Sequence, residues 1–214
     1  MEWGILAIVI IFVILGYIVL QGTRASLAWR KAAAGGDVEV IRQMLEETIT
    51  SWSSMKRPKE VAPEVWRGVQ SVELVDVAAD SARVSCQVES EYRMLEGRWV
   101  EVTNPLQAGL SVTARLADML LYDVPNLRLA SVRIDVYTSF RDPEGAAERA
   151  CILSTDGSRE AARGVDWEDW TAAEIVDAFG GRYRLGERGA ALPIDPIEWE
   201  GTPEPRSLGA QTDR

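Results

Sequence analysis

Residues 3–20 read WGILAIVIIFVILGYIVL, eighteen positions without a charged side chain. No polar face can be drawn on such a run, so it does not fit the amphipathic surface helix of an ordinary domain. As a helix it spans roughly 27 Å, near the ~30 Å hydrocarbon thickness of a bilayer. A transmembrane anchor over residues 3–22 is expected, with Trp3 and Tyr17 toward its ends and Trp29 beyond, where amphipathic rings favour the interface. A cleaved signal peptide fits less well. Glu2 stands where a basic leader should be, and the apolar run exceeds the usual ~7–15 residues.

Arg24, Arg30 and Lys31 follow the run, and nothing basic precedes it. Basic flanks stay on the cytoplasmic side. The expected orientation therefore has the N-terminus outside and the larger C-terminal part at the cytoplasmic membrane surface. Residues 23–36 form a juxtamembrane linker, closed by Gly35-Gly36-Asp37, which breaks a helix and caps a new one.

Past the linker the periodicity changes to that of a water-soluble domain, expected over residues 37–185. Val38, Ile41, Leu45, Ile49 and Trp52 lie on one stripe, so Asp37–Ser53 is an amphipathic helix. A polar, basic connection through Lys56, Arg57, Pro58, Lys59 and Pro63 leads to a strand at Val72–Ala78. Ala82–Met94 alternates apolar and polar and reads as one strand, with Val84, Cys86, Val88, Tyr92 and Met94 inward. Glu96-Gly97 turns the chain into Arg98–Val102. Pro105 opens a second helix with Leu106, Leu110, Ala114, Ala117 and Leu121 inward.

Val132, Ile134, Val136 and Phe140 then mark a strand that directs Arg133, Asp135 and Ser139 to water. Asp142-Pro143-Glu144-Gly145 has the residues of a tight turn, and Arg149–Thr155 returns. Thr171 and Glu174 form a capping box for a last helix. The fold class is α+β: an N-terminal transmembrane helix, then a mostly antiparallel sheet packed against two or three amphipathic helices. Residues 186–214, with recurring Gly and Pro, are expected to form a disordered tail.

Composition narrows the chemistry. Histidine is absent, which removes imidazole bases and imidazole-held metals; two cysteines cannot build an all-thiolate zinc site. The formal charge of −10 argues against nucleic acid as a partner, because phosphate recognition needs a surplus of Lys and Arg. No phosphate-binding loop, dinucleotide fingerprint, nucleophile elbow or zincin motif is present, so no catalytic, cofactor-binding or metal-ligating residue is assigned and no cofactor is implied. Arg24, Arg30, Lys31, Lys56, Arg57 and Lys59 are the membrane-surface candidates, since each cation near anionic lipid gains ~1 kcal/mol. Trp167 and Trp170 are the partner-binding candidates, the alternative for both being core packing. Asp166, Glu168, Asp169 and Glu174 crowd one segment as a divalent metal site would, or as the start of a helix does.

These features together read as a single-pass, membrane-anchored, non-catalytic interaction or scaffold protein whose partners are the bilayer and another membrane or soluble protein. The oligomeric state is left open. A carboxylate-based metal-dependent enzyme and an extracytoplasmic sensing or envelope domain are the alternatives. Orientation is directly measurable. In intact cells an impermeant thiol reagent should label neither Cys86 nor Cys151 in single-cysteine chains, and both should react after lysis and denaturation. Labelling when only the outer barrier is opened and the chain is unfolded would put the domain outside.

Overall fold

The computed structural model describes residues 11, 12, 14–17, 31, 32, 35–141 and 145–199, the side chain of Arg188 excepted. The expected anchor and linker lie largely outside these residues, as do the tip of the Asp142–Gly145 turn and the chain beyond Trp199. Among the described residues no helix is long and apolar enough to cross a membrane.

Helix α1, Val38–Ser54, is the expected amphipathic helix, with the Asp37 carboxylate accepting the Val40 N–H at its start. Ile41, Leu45, Ile49 and Trp52 are buried along one stripe, and each large apolar side chain removed from water contributes ~1.5–3 kcal/mol. A short helix α2, Pro63–Gln70, follows inside what the sequence presents as a polar connection. Its two turns bury Trp66 and Val69, and Trp66 Nε1 donates to the Met55 carbonyl at 3.2 Å. Eight residues carry too little periodicity to stand out from a loop.

Strands β1 (Glu73–Val77) and β2 (Ser81–Gln87) pair antiparallel. The expected single strand over Ala82–Met94 is not formed, and the cause lies outside the segment. At Gln87 the Ser71 hydroxyl replaces a strand neighbour: it accepts the Gln87 N–H at 2.9 Å and lies 3.0 Å from the Gln87 carbonyl. The chain leaves the sheet after Val88 and forms a separate hairpin of β3 (Glu91–Leu95) and β4 (Arg98–Thr103). Tyr92 and Met94, expected inward, are exposed on it.

Helix α3, Pro105–Asp118, starts at a capping box in which Asn104 accepts the Gln107 N–H and Gln107 accepts the Asn104 N–H. It continues into a wider π-helical turn, Met119–Asp123. Strand β5, Ser131–Arg141, then lies parallel to β2 over seven residues, a pairing that needs a crossover connection of this kind. Strand β6 (Ala147–Ser158) returns antiparallel to β5 with a bulge at Val136/Tyr137. A single-turn helix α4 (Arg159–Ala162), helix α5 (Ala172–Ala178) and strands β7 (Arg182–Leu185) and β8 (Ala191–Leu192) complete the order, with a 3-10 turn at Glu187–Gly189. The sheet order is β1-β2-β5-β6-β7-β8, antiparallel but for β2–β5.

The helices cover one face and share one hydrophobic core with it, from Ile41 and Leu45 through Val84, Leu116, Ile134 and Leu153 to Val176. This is a mixed α+β fold. On the other face two corrections meet. Arg133 and Asp135, expected in water, are 5% and 0% exposed. Residues 193–199, expected in a disordered tail, run across the sheet as an extended strap over them, with the Ile194 N–H bonded to the Cys151 carbonyl at 2.9 Å and the Ile197 N–H to Ser154 Oγ at 3.0 Å. Alternation along a strand reports that its two faces differ; it does not report that a later segment covers the polar one.

Helices α2 and α3 touch through Gly68, where a Cβ would stand 2.4 Å from Val112 Cγ2. The expected cost of Gly68→Ala is ~1–3 kcal/mol of stability from overpacking. In a Val112→Ala background the same change should become neutral or stabilising by up to ~1 kcal/mol, the helix-propensity gain. Denaturant unfolding of the four chains of this cycle checks both signs.

Candidate interaction sites

The β3–β4 hairpin is held by a two-residue turn in which Glu96 (φ 50°) and Gly97 (φ 79°) are both left-handed, the geometry that matches strand twist. Met94 lies opposite Trp99, Arg93 opposite Val100, and Tyr92 opposite Glu101. The two-residue period puts Tyr92, Met94 and Trp99 on one face and Leu95 and Val100 on the other. All five are exposed, Trp99 by 69%. Among the described residues the hairpin pairs with no other strand. Arg67 donates to the Glu91 carboxylate and so ties its base to α2.

An isolated two-stranded hairpin is marginal in water, and contiguous exposed apolar surface marks an interaction site. Sequence reasoning missed this site by continuing the alternation from β2. The signal was present at Met94-Leu95 and Trp99-Val100, where consecutive apolar residues make both faces of a strand apolar.

The hairpin stands at one end of the domain. Gly36 packs at the other, where a Cβ on it would lie 3.2 Å from Ala79 Cβ beside the β1–β2 turn. From there α1 runs for seventeen residues, about 25 Å, to Ser54. The loop after it carries Lys56, Arg57 and Lys59, all exposed, with Arg57 Nη1 bonded to the Val61 carbonyl at 2.5 Å. The structure thus separates this basic cluster from Lys31, which is also exposed; Arg24 and Arg30 lie outside the described residues.

Trp167 is half-buried, edge-on to Tyr122 and tilted on Phe179 with centroids 6.0 Å apart in each pair. Trp170 is 39% exposed. The nearby acids act on backbone. Asp166 Oδ1 accepts the N–H groups of Glu168 and Asp169, and Glu174 accepts the Thr171 N–H and hydroxyl at 2.7 Å. Those bonds to Thr171 hold the Glu174 carboxyl below its usual value. Among the described residues no group of three or more Cys, Asp or Glu is arranged to hold a metal ion.

The outer sheet face carries a second site. Arg83 Nε donates to Asp135 Oδ2 at 2.8 Å and Ser154 Oγ donates to Asp135 Oδ1 at 2.5 Å, joining β2, β5 and β6. Arg133 donates to Asp156 at 2.5 Å and to the Ile197 carbonyl at 3.1 Å, and its guanidinium lies 5.2 Å from the Trp199 ring centroid. The Trp199 indole N–H donates to Asp76 at 2.9 Å.

Both cysteines are buried and free. Burial, with the Asp135 carboxylate next in effect, pushes the Cys86 thiol up to about 12 and the Cys151 thiol to about 11. Neither is a thiolate nucleophile at neutral pH. A further cleft of about 230 Å³ opens beside α2, lined by Glu64, Arg67, Ser71, Gln87 and Glu89.

No family model, curated protein or solved structure matches the chain, so its sites are read from geometry alone. The polar network makes a stability prediction. Asp135→Ala leaves Arg83 without its partner and Ser154 buried with an unmade bond. A loss of ~3–5 kcal/mol is expected, the cost of removing one member of a buried ion pair. Chemical unfolding checks it, and Ser154→Ala should cost less, ~1–3 kcal/mol.

Proposed function

We propose that the chain is a non-catalytic docking protein, tethered to a membrane by residues 3–22, that recruits a partner protein through the β3–β4 hairpin at the cytoplasmic membrane surface. The observation that carries this reading is the exposure of Trp99, Tyr92, Met94, Leu95 and Val100 on a hairpin with no strand neighbour among the described residues. Trp and Tyr are the residue types that dominate binding energy at protein interfaces. Its edges pair with no other strand among the described residues, so the fitting partner supplies a strand edge with apolar side chains beside it.

Two features favour a protein over lipid as the occupant. Glu91, Glu96 and Glu101 interleave with the apolar residues, and Glu96 sits in the tip turn, the point that would enter a bilayer first. The hairpin also stands at the end of the domain away from Gly36, through which a tethering segment would arrive. Tethering then acts through effective concentration, because a partner held at the membrane meets its later partners locally.

The test is capture in mild detergent from cells expressing the full chain, with a photo-crosslinker at position 99. A stoichiometric protein partner is expected, and it should be lost in the Met94→Ser, Trp99→Ser chain. That chain should melt within a few degrees of the parent, since surface changes usually stay within ~0.5 kcal/mol. Crosslinking to lipid alone, to a second copy alone, or to nothing would overturn the reading.

A further inference from the structure

We propose that the outer face of the sheet is a peptide-binding groove. The protein fills it in cis with its own residues 193–199, and from a partner it takes an extended, acidic, proline-containing segment that ends in an aromatic residue. This inference is independent of the hairpin.

The strap is held as peptide ligands are held, by its backbone. Cys151 and Ser154 accept the N–H groups of Ile194 and Ile197, at 2.9 and 3.0 Å. Arg184 Nη2 donates to the Pro193 carbonyl at 2.9 Å, and Arg133 donates to the carbonyls of Ile197 and Glu198. Main-chain bonds of this kind supply affinity, and pockets for particular side chains supply selection. Here the selecting element is the Trp199 clamp. Arg133 lies over the ring and Asp76 accepts a hydrogen bond from the indole N–H. Pro193 and Pro196 restrict the segment to extended conformations, which lowers the entropy lost on seating.

The groove and its occupant are unequal in burial. The floor contains Arg133, Asp135 and Ser154, all buried, whereas no residue of the strap is buried and none belongs to the hydrophobic core. A segment that buries none of its own residues belongs to the parts of a fold that open first. The floor is also not saturated. Arg133 Nε is buried with no hydrogen-bond partner among the described residues. An incoming carboxylate matches that donor. Beside the strap a hollow of about 520 Å³ between Tyr137, Cys151, Arg184 and Pro193–Pro196 leaves room for a bulkier segment.

The probe is a labelled synthetic peptide with the sequence of residues 191–199, ALPIDPIEW, added to the full chain. In the parent chain the tethered strap competes at an effective concentration of ~mM, so the peptide should bind weakly. The Trp199→Ala chain, with its own clamp removed, should bind the peptide at least ~10-fold more tightly, as expected when the binding-competent fraction rises. A peptide with alanine in place of its tryptophan should bind neither chain.

Amide hydrogen exchange at Ile194 and Ile197 reports the strap itself and should quicken in the Trp199→Ala chain. Equal binding of the two peptides would overturn the proposal, as would unchanged exchange or no binding to a chain whose strap has been released. If Trp199→Ala fails to fold, the parent chain decides: several millimolar peptide should speed exchange at both amides, and no change would refute the groove.

Discussion

A single buried carboxylate, Asp135, organises the half of the protein that the hydrophobic core does not reach. It sits at the centre of β5 and takes one bond from Arg83 on β2 and one from Ser154 on β6. Ser154 in turn accepts the Ile197 N–H of the strap. A charge at zero exposure is tolerable only when its lone pairs are met, and here β2 and β6 are recruited to meet them, with Ser154 passing the connection on to residues 193–199. The apolar face of the same three strands packs against helices, where shape and volume decide. The polar face is governed by stoichiometry of donors and acceptors. That difference explains why one face is closed by side chains from α1, α3 and α5 and the other by a backbone.

The hairpin obeys neither rule. It shares no ladder with the main sheet among the described residues and buries none of its large apolar side chains. Its base is fastened by Glu91 to Arg67. The sheet's stability therefore does not depend on Trp99 or Met94, which leaves those residues available for a role outside the fold. The outer-face network is the opposite case, because its members are wired to several elements and cannot be altered without cost to the whole.

What was legible in the sequence followed the contrast between faces. The stripe Ile41, Leu45, Ile49, Trp52 and the capping residues Asp37 and Thr171 located helices well, since spacing and capping are local properties. The inward set Val132, Ile134 and Val136 was equally clear. The break after Val88 was not, because it depends on the hydroxyl of Ser71, sixteen residues earlier than the Gln87 backbone it satisfies. The strap was illegible for a related reason. PIDPIEW has the composition of a linker, and its order comes from Arg133 and Asp76, which are distant in sequence. Of the candidate sites, the basic residues were visible as a cluster but their distance from Gly36 was not; that required the direction of α1. The hairpin's apolar residues were visible too, and only their assignment to an inward face hid them.

The arrangement of the two ends also has a mechanical meaning. A pull applied between Gly36 and the hairpin is directed along β2, because the chain reaches Gly36 beside the β1–β2 turn and leaves β2 at Gln87 toward Glu91. Along that line β2 cannot slide past β5 without breaking its seven paired positions, whose hydrogen bonds lie across the direction of the pull. A load applied across the strands would instead open them one at a time. The strand that joins the two ends is also one held on both sides, by β1 and by β5.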